Sequence, residues 1–219
     1  KTYNSLSQDE KLGQLFIVAL YTNKDENHIN TVRKIVTNEK IGGLILMQDD
    51  AAREINLVNE FQKQSKVPLM IGMDAEWGIH QRIAKAHKFP WAMALGAIQD
   101  KKLIYDMAAK IAEDCRRMGV NWDFAPVVDV NTNPNNPIIG NRSFGSEVDN
   151  VTNSALAYSN GLQDHQILAA IKHFPGHGDT NTDSHLDLPV VSHSLERLNA
   201  VELAPFKALM DKGIGGVMV

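Results

Sequence analysis

One cysteine, Cys115, carries all the thiol chemistry of this 219-residue chain. A single thiol excludes an internal disulfide and a thiolate metal cluster. Its place in a strongly helical stretch marks it as a buried, inert group. No apolar run approaches the roughly 18 residues that a membrane helix needs, so no membrane span is expected. No basic run is present and the formal net charge is -4, which removes the electrostatic footprint of a nucleic-acid binder. No Gly-x-Gly-x-x-Gly follows the first apolar segment, so the dinucleotide fingerprint is missing as well. What is present is ordinary globular composition, 43% hydrophobic and 22% charged. Length alone allows one large domain or two small ones.

The two ends carry expectations of their own. The chain opens on Lys1 rather than methionine, as a trimmed chain does; a removed targeting signal fits export to the periplasm or the cell exterior. The last residues, Gly213 to Val219, read as a strand. A domain seldom leaves an apolar strand edge open, so the natural protein is expected to continue.

Between the ends, apolar runs alternate with helical stretches. The runs are Leu15 to Leu20, Gly42 to Met47, Pro68 to Met73, Phe124 to Val130, Ile167 to Ile171 and Ile214 to Val219. Helices are expected at Asn27 to Lys40, Ala51 to Ser65, Asp100 to Met118, Val148 to Gln163 and Leu195 to Lys212. Ser7 with Glu10 three residues on forms a capping-box signature for a short opening helix. The runs are apolar throughout rather than alternating, as strands buried on both faces of a parallel sheet are. Repeated strand–helix units point to an α/β fold, either an open doubly wound sheet or a barrel. Polar residues cluster after nearly every run: Gln48-Asp49-Asp50, Asp74-Ala75-Glu76, Asp129, Lys172-His173. A ring of functional loops at strand C-termini is how a barrel builds its site. The expected fold is therefore a single domain over residues 1–219, a (β/α)8 TIM-type barrel truncated after about six β/α units.

Segment 172–185 holds three of the chain's eight histidines, with two Gly, one Pro, two Asp and Lys172. So polar and Gly-rich a stretch does not pack a core; it reads as a functional loop on a rigid scaffold. Its chemistry has two readings. His173, His177 and Asp183 offer metal-ligand types, although the two histidines are not i and i+4 on one helix as zinc proteases place them. Alternatively Asp183, two residues from His185, fixes that imidazole's tautomer for acid–base work, and Lys172-His173 offers donors to hydroxyl groups. After the third run, the carboxylates of Asp74-Ala75-Glu76-Trp77-Gly78 beside an indole suit a sugar's hydroxyls and C–H face. Trp77 reads equally as a packing residue, and Glu76 as a solvated charge or structural partner. Arg82 can reach back into that loop. Arg142 follows an Asn/Pro-rich insert and supplies a fixed fork of donors, for substrate oxygens or for a surface ion pair.

At these residues the chain resembles glycoside hydrolase family 3, and within it the β-N-acetylhexosaminidase branch. The matching pieces are Gly42-Gly43-Leu44-Ile45-Leu46, Asp74-Ala75-Glu76-Trp77-Gly78 with Arg82, Phe124-Ala125-Pro126-Val127-Val128-Asp129-Val130, Gly140 to Gly145, and Lys172-His173-Phe174-Pro175-Gly176-His177-Gly178 through Asp183-Ser184-His185. They stand in the family's order along nearly the whole chain. The resemblance implies a (β/α)8 barrel and hydrolysis of terminal non-reducing β-linked N-acetylglucosamine with retention. It implies His185 as acid/base with Asp183 as its partner, and Asp74, Arg82, Arg142, Lys172 and His173 as substrate-binding residues. No metal and no cofactor is implied. A histidine acid differs from the usual carboxylate pair, and a neutral imidazole does not repel an anionic acceptor such as phosphate.

Two departures from the family pattern are visible. Trp77 stands where the branch more often has glycine, and no aspartate matches the family's nucleophile, which belongs to the strand after the last one here. The 219-residue chain is therefore expected to be inactive alone, a piece of a longer enzyme. The alternatives are a family 3 β-glucosidase or β-xylosidase, and a non-catalytic sugar-binding module. The partner expected in each case is a carbohydrate. Six strands leave two raw sheet edges, so self-association of the fragment is expected too.

Overall fold

Five of the six apolar runs contain a strand, and the remaining strand lies just before its run. In the computed structural model, which describes residues 2–48, 50–181, 190–191 and 193–219, the strands are β1 (Ile17–Leu20), β2 (Gly43–Leu46), β3 (Met70–Met73), β4 (Trp122–Asp123), β5 (Leu168–Ile171) and β6 (Gly216–Val217). They form one sheet in the order β1-β2-β3-β4-β5-β6, and every neighbouring pair is parallel. A doubly wound sheet reverses its strand order at a switch point. This order never reverses, so the wall is that of a barrel, open between β1 and β6. Leu44, Leu46, Ile71 and Met73 of the central strands are buried.

The helices are α1 (Gln8–Gly13), α2 (Glu26–Lys34), α3 (Ala51–Gln64), α4 (Ala92–Gly96), α5 (Lys101–Arg117), α6 (Val148–Gln163), α7 (Leu195–Ala200) and α8 (Ala204–Met210). Their starts are chemically marked. Ser7 and Glu10 make the expected capping box, Asp25, Asp50 and Asp100 accept from the first-turn amides of α2, α3 and α5, and Ser194 does so for α7. Each such cap is worth about 1 kcal/mol.

Three expected boundaries moved. The helix expected from Asn27 to Lys40 is α2 followed by a π-turn over Ile35–Glu39. The single helix expected from Leu195 to Lys212 is two, α7 and α8, because Pro205 has no amide to continue α7 and instead sits in the first turn of α8. The fourth strand lies at Trp122–Asp123, just before the run expected to form it. Phe124 to Val130 continues beside β5 with scattered bonds only, such as Val128 N–H to the Lys172 carbonyl at 2.8 Å and a bridge between Val127 and Lys172. Pro126 cannot donate to a ladder.

Helices α5 and α6 pack closely at Gly161. A Cβ there would lie 2.4 Å from the carbonyl oxygen of Tyr105, so only glycine permits this approach. From the same helix the buried Tyr158 donates its hydroxyl to the backbone carbonyls of Ala75 and Glu76, each at 3.2 Å. A packing helix thereby fixes the loop after β3.

Candidate active site

Asp74, Arg82, Arg142, Lys172 and His173, the five residues expected to bind substrate, line one cavity of about 630 Å³ at the C-terminal ends of the strands. That volume lies in the usual range for small-molecule sites. Hydrophobic side chains of the strand ends, Ile45 and Phe124 among them, complete its wall. The opposite ends of the strands contribute none of these groups, as expected of a barrel.

The polar groups form one ion-pair network. Lys172 extends from the end of β5, almost fully buried, and places its ammonium 2.8 Å from Asp74 Oδ1 and 2.9 Å from Glu76 Oε1. Arg82 pairs with the other oxygen of Asp74. Arg142 grips Glu76 with both arms, Nη2 to Oε1 at 2.7 Å and Nε to Oε2 at 3.0 Å. Burial pushes the Asp74 and Glu76 carboxyls up, but the Lys172 charge beside both, with Arg82 on one and Arg142 on the other, outweighs it and holds them below the usual carboxylate range. Two carboxylates thus face three cations, a donor-rich floor suited to an oxygen-rich ligand. Glu76 is a structural partner of Arg142 and Lys172 rather than a solvated charge.

Asp129 organises the neighbouring loop. It is fully buried, accepts from the Nδ1 of His173 at 2.7 Å and from the amide of His177 at 2.7 Å, and lies 3.2 Å from the amide of His173. The guanidinium of Arg142 stands 3.3 Å from the Nε2 of His173. Arginine can only donate, so a neutral His173 carries its proton on Nδ1 and turns a lone pair toward Arg142. The peptides at Lys172–His173 and Phe174–Pro175 are cis. Gly178 lies flat on the preceding insert, where a Cβ would meet the Val130 carbonyl at 2.0 Å.

Beneath this layer Asp123 is completely buried. Its Oδ1 accepts from the Ala75 amide at 3.0 Å, and its other oxygen has no partner among the described residues. Burial, with the negative charges of Asp74 and Glu76, pushes its carboxyl up to about 8 against the opposing pull of the Ala75 amide and Lys172. It is a neutral acid at pH 7. The indoles of Trp77 and Trp91 stack 4.8 Å apart, which accounts for Trp77 by packing.

Asp183 and His185, the expected acid/base pair, lie outside the described residues. The metal reading of His173, His177 and Asp183 shares that limit. Its two described members each have other partners: His173 turns to Asp129, and His177 bonds Thr180. Sequence reasoning passed over the roles of Asp129, Asp123 and Tyr158. For Asp129 a signal existed, a lone carboxylate closing an apolar run. For the other two the partners are 48 and 83 residues away, and nothing local marks them.

Comparison with known proteins bears on the whole chain. The profile of the glycosyl hydrolase family 3 N-terminal domain matches residues 7–219. β-Hexosaminidase A of Pseudoalteromonas piscicida is 37% identical over 199 residues, 85% of this chain and 33% of that protein. The solved family 3 β-N-acetylglucosaminidase from Paenibacillus sp. is 36% identical with a TM-score of 0.87, over 98% of this chain and 42% of that one. A β-glucoside phosphorylase solved with 2FGlc bound is 28% identical with a TM-score of 0.89, over 99% of this chain and 38% of that one. The chain therefore spans about a third to two fifths of these proteins.

Proposed function

The chain belongs to glycosyl hydrolase family 3, and from that premise we propose that it forms the N-terminal part of the catalytic barrel of a retaining β-N-acetylglucosaminidase. The observation that carries this reading is the single cavity in which Asp74, Arg82, Arg142, Lys172 and His173 converge. Asp74 and Lys172 hold hydroxyls of the terminal non-reducing sugar, Asp74 as acceptor and Lys172 with the one ammonium hydrogen not turned on Asp74 or Glu76. Arg82 and His173 flank them. Arg142 gives two donors to Glu76 and faces His173 with the same guanidinium, so its main task is to fix that carboxylate and His173. The relatives named for N-acetylglucosamine chemistry support the choice of sugar.

Chemistry then requires a proton donor and a nucleophile. His185 protonates the leaving glycosidic oxygen, with Asp183 holding its tautomer. An aspartate attacks the anomeric carbon to give a covalent glycosyl-enzyme, which water opens with His185 acting as base. The described carboxylates at the cavity, Asp74 and Glu76, are both locked between cations and are poor nucleophiles. By the family pattern the attacking aspartate belongs to the strand after β6, and no aspartate of these 219 residues matches it.

The test is nitrophenol release from the β-N-acetylglucosaminide and the β-glucoside. The longer natural chain is expected to cleave the first, H185A to lose most of kcat, and the 219-residue chain to cleave neither. Full activity in the 219-residue chain overturns the assignment of the nucleophile. The likeness to a β-glucoside phosphorylase gives the second reading, a glucoside-cleaving enzyme with phosphate as acceptor. Preference for the β-glucoside, raised by added phosphate, selects it.

A further inference from the structure

We propose that Asp179, His193 and Glu202 form a binding site for a divalent transition-metal cation of the zinc class, separate from the sugar cavity. One ligand atom from each of the three lies within 4.8 Å of the others. His193 Nε2 already stands 2.5 Å from Asp179 Oδ2. One imidazole nitrogen with two carboxylates is a ligand set that zinc and its neighbours accept.

The second observation concerns Glu202. Its side chain is only 3% exposed. One oxygen accepts from Arg197 Nη2 at 3.1 Å, and the other, Oε2, is buried with no hydrogen-bond partner among the described residues. A buried carboxylate oxygen left bare carries an uncompensated desolvation cost, and a cation shared with Asp179 and His193 satisfies it. Charge agrees: two carboxylates against the single guanidinium leave the cluster negative. Asp179 and His193 also line a polar cavity of about 460 Å³ with Asn133 and Asn181, which leaves room for water to complete the coordination shell.

The ligands come from three places in the chain. Asp179 follows the Gly178 turn, His193 precedes the Ser194 cap of α7, and Glu202 lies in the link between α7 and α8. A cation here joins the chain on both sides of residues 182–192 to the α7–α8 link.

The test uses the metal alone. The chain, stripped with chelator, is titrated with zinc chloride by calorimetry, and its thermal unfolding is followed with and without the ion. About one equivalent is expected to bind and to raise Tm, as any ligand of the native state does. H193Q and E202Q should each weaken binding at least ~10-fold and lose the Tm shift, while H173Q at the sugar cavity should bind as the parent does. Circular dichroism confirms that each variant is folded. If E202Q fails to fold, H193Q decides alone, since its side chain is about a third exposed. Absence of binding in the parent overturns the proposal. So does binding unchanged in H193Q, or loss in H173Q instead.

Discussion

At the scale of the residue, the layer that touches a ligand rests on groups that do not. Lys172 and Arg142 hold Asp74 and Glu76 as carboxylates. Asp123 below them is kept neutral, because a third buried negative charge has no cation of its own. This gives a measurable pH dependence. The folded state binds the Asp123 proton up to about pH 8, whereas the unfolded chain releases it near pH 4. Stability associated with this group is therefore fully present below about pH 4 and falls as pH rises from about 4 to about 8. Asparagine mimics the neutral acid without titrating. D123N is expected to match the parent near pH 4 and to exceed it progressively toward pH 8, by an amount on the order of a few kcal/mol. Urea unfolding of both chains across that range checks it. A constant difference between them would show that Asp123 stays ionised in the folded protein.

At the scale of the element, legibility followed the range of the interactions. Strands announce themselves as continuous apolar runs, so five of the six were found in place and the fourth lay just before its run. Helix starts were legible where a side chain caps its own first turn, as at Ser7. Prolines inside apolar or helical stretches misled the boundaries, Pro126 shifting β4 and Pro205 dividing α7 from α8. Asp74, Lys172 and His173 were legible because each stands just after a strand, and Arg142 because it follows an Asn- and Pro-rich insert, whereas no such local signal marks Arg82. The tertiary contacts were not, and Gly161 is the clearest case. In isolation, alanine is the better helix former by about 1 kcal/mol, so the sequence alone argues for replacing this glycine. The fold argues the reverse, since the added carbon would lie 2.4 Å from the Tyr105 carbonyl and 2.7 Å from Ala108 Cβ. Forcing α5 and α6 apart costs about 1–3 kcal/mol, and the steric cost wins. G161A is expected to lower the urea midpoint at unchanged m-value. A variant as stable as its parent would mean that the two helices separate without loss.

At the scale of the whole molecule, the sheet is strong in the middle and weak at its margins. Among the described residues β2 to β5 each pair on both sides, while β1 and β6 each pair on one side only, and the residues of β1 and β6 are correspondingly less buried. Apolar side chains gather at the open margins. Leu12, Leu15 and Phe16 beside β1 are 49%, 77% and 61% exposed, and Val219 beyond β6 is 93% exposed. Unpaired backbone groups next to apolar surface are a template for further pairing. The 219-residue chain is therefore expected to self-associate through these edges, with an apparent mass in light scattering that grows with concentration. The association should resist salt, since its drive is apolar burial and backbone pairing rather than charge. A lysine on the exposed margin, F16K, should reduce it without unfolding the chain. A longer natural chain whose added strands pair with β1 and β6 should stay monomeric at the same concentration. A monomeric 219-residue chain at every concentration would show that both edges are already blunted. The cavity would then have to be completed without strand pairing, because Ala19 of β1 and Met218 next to β6 both line it and the site sits where the two open margins face each other.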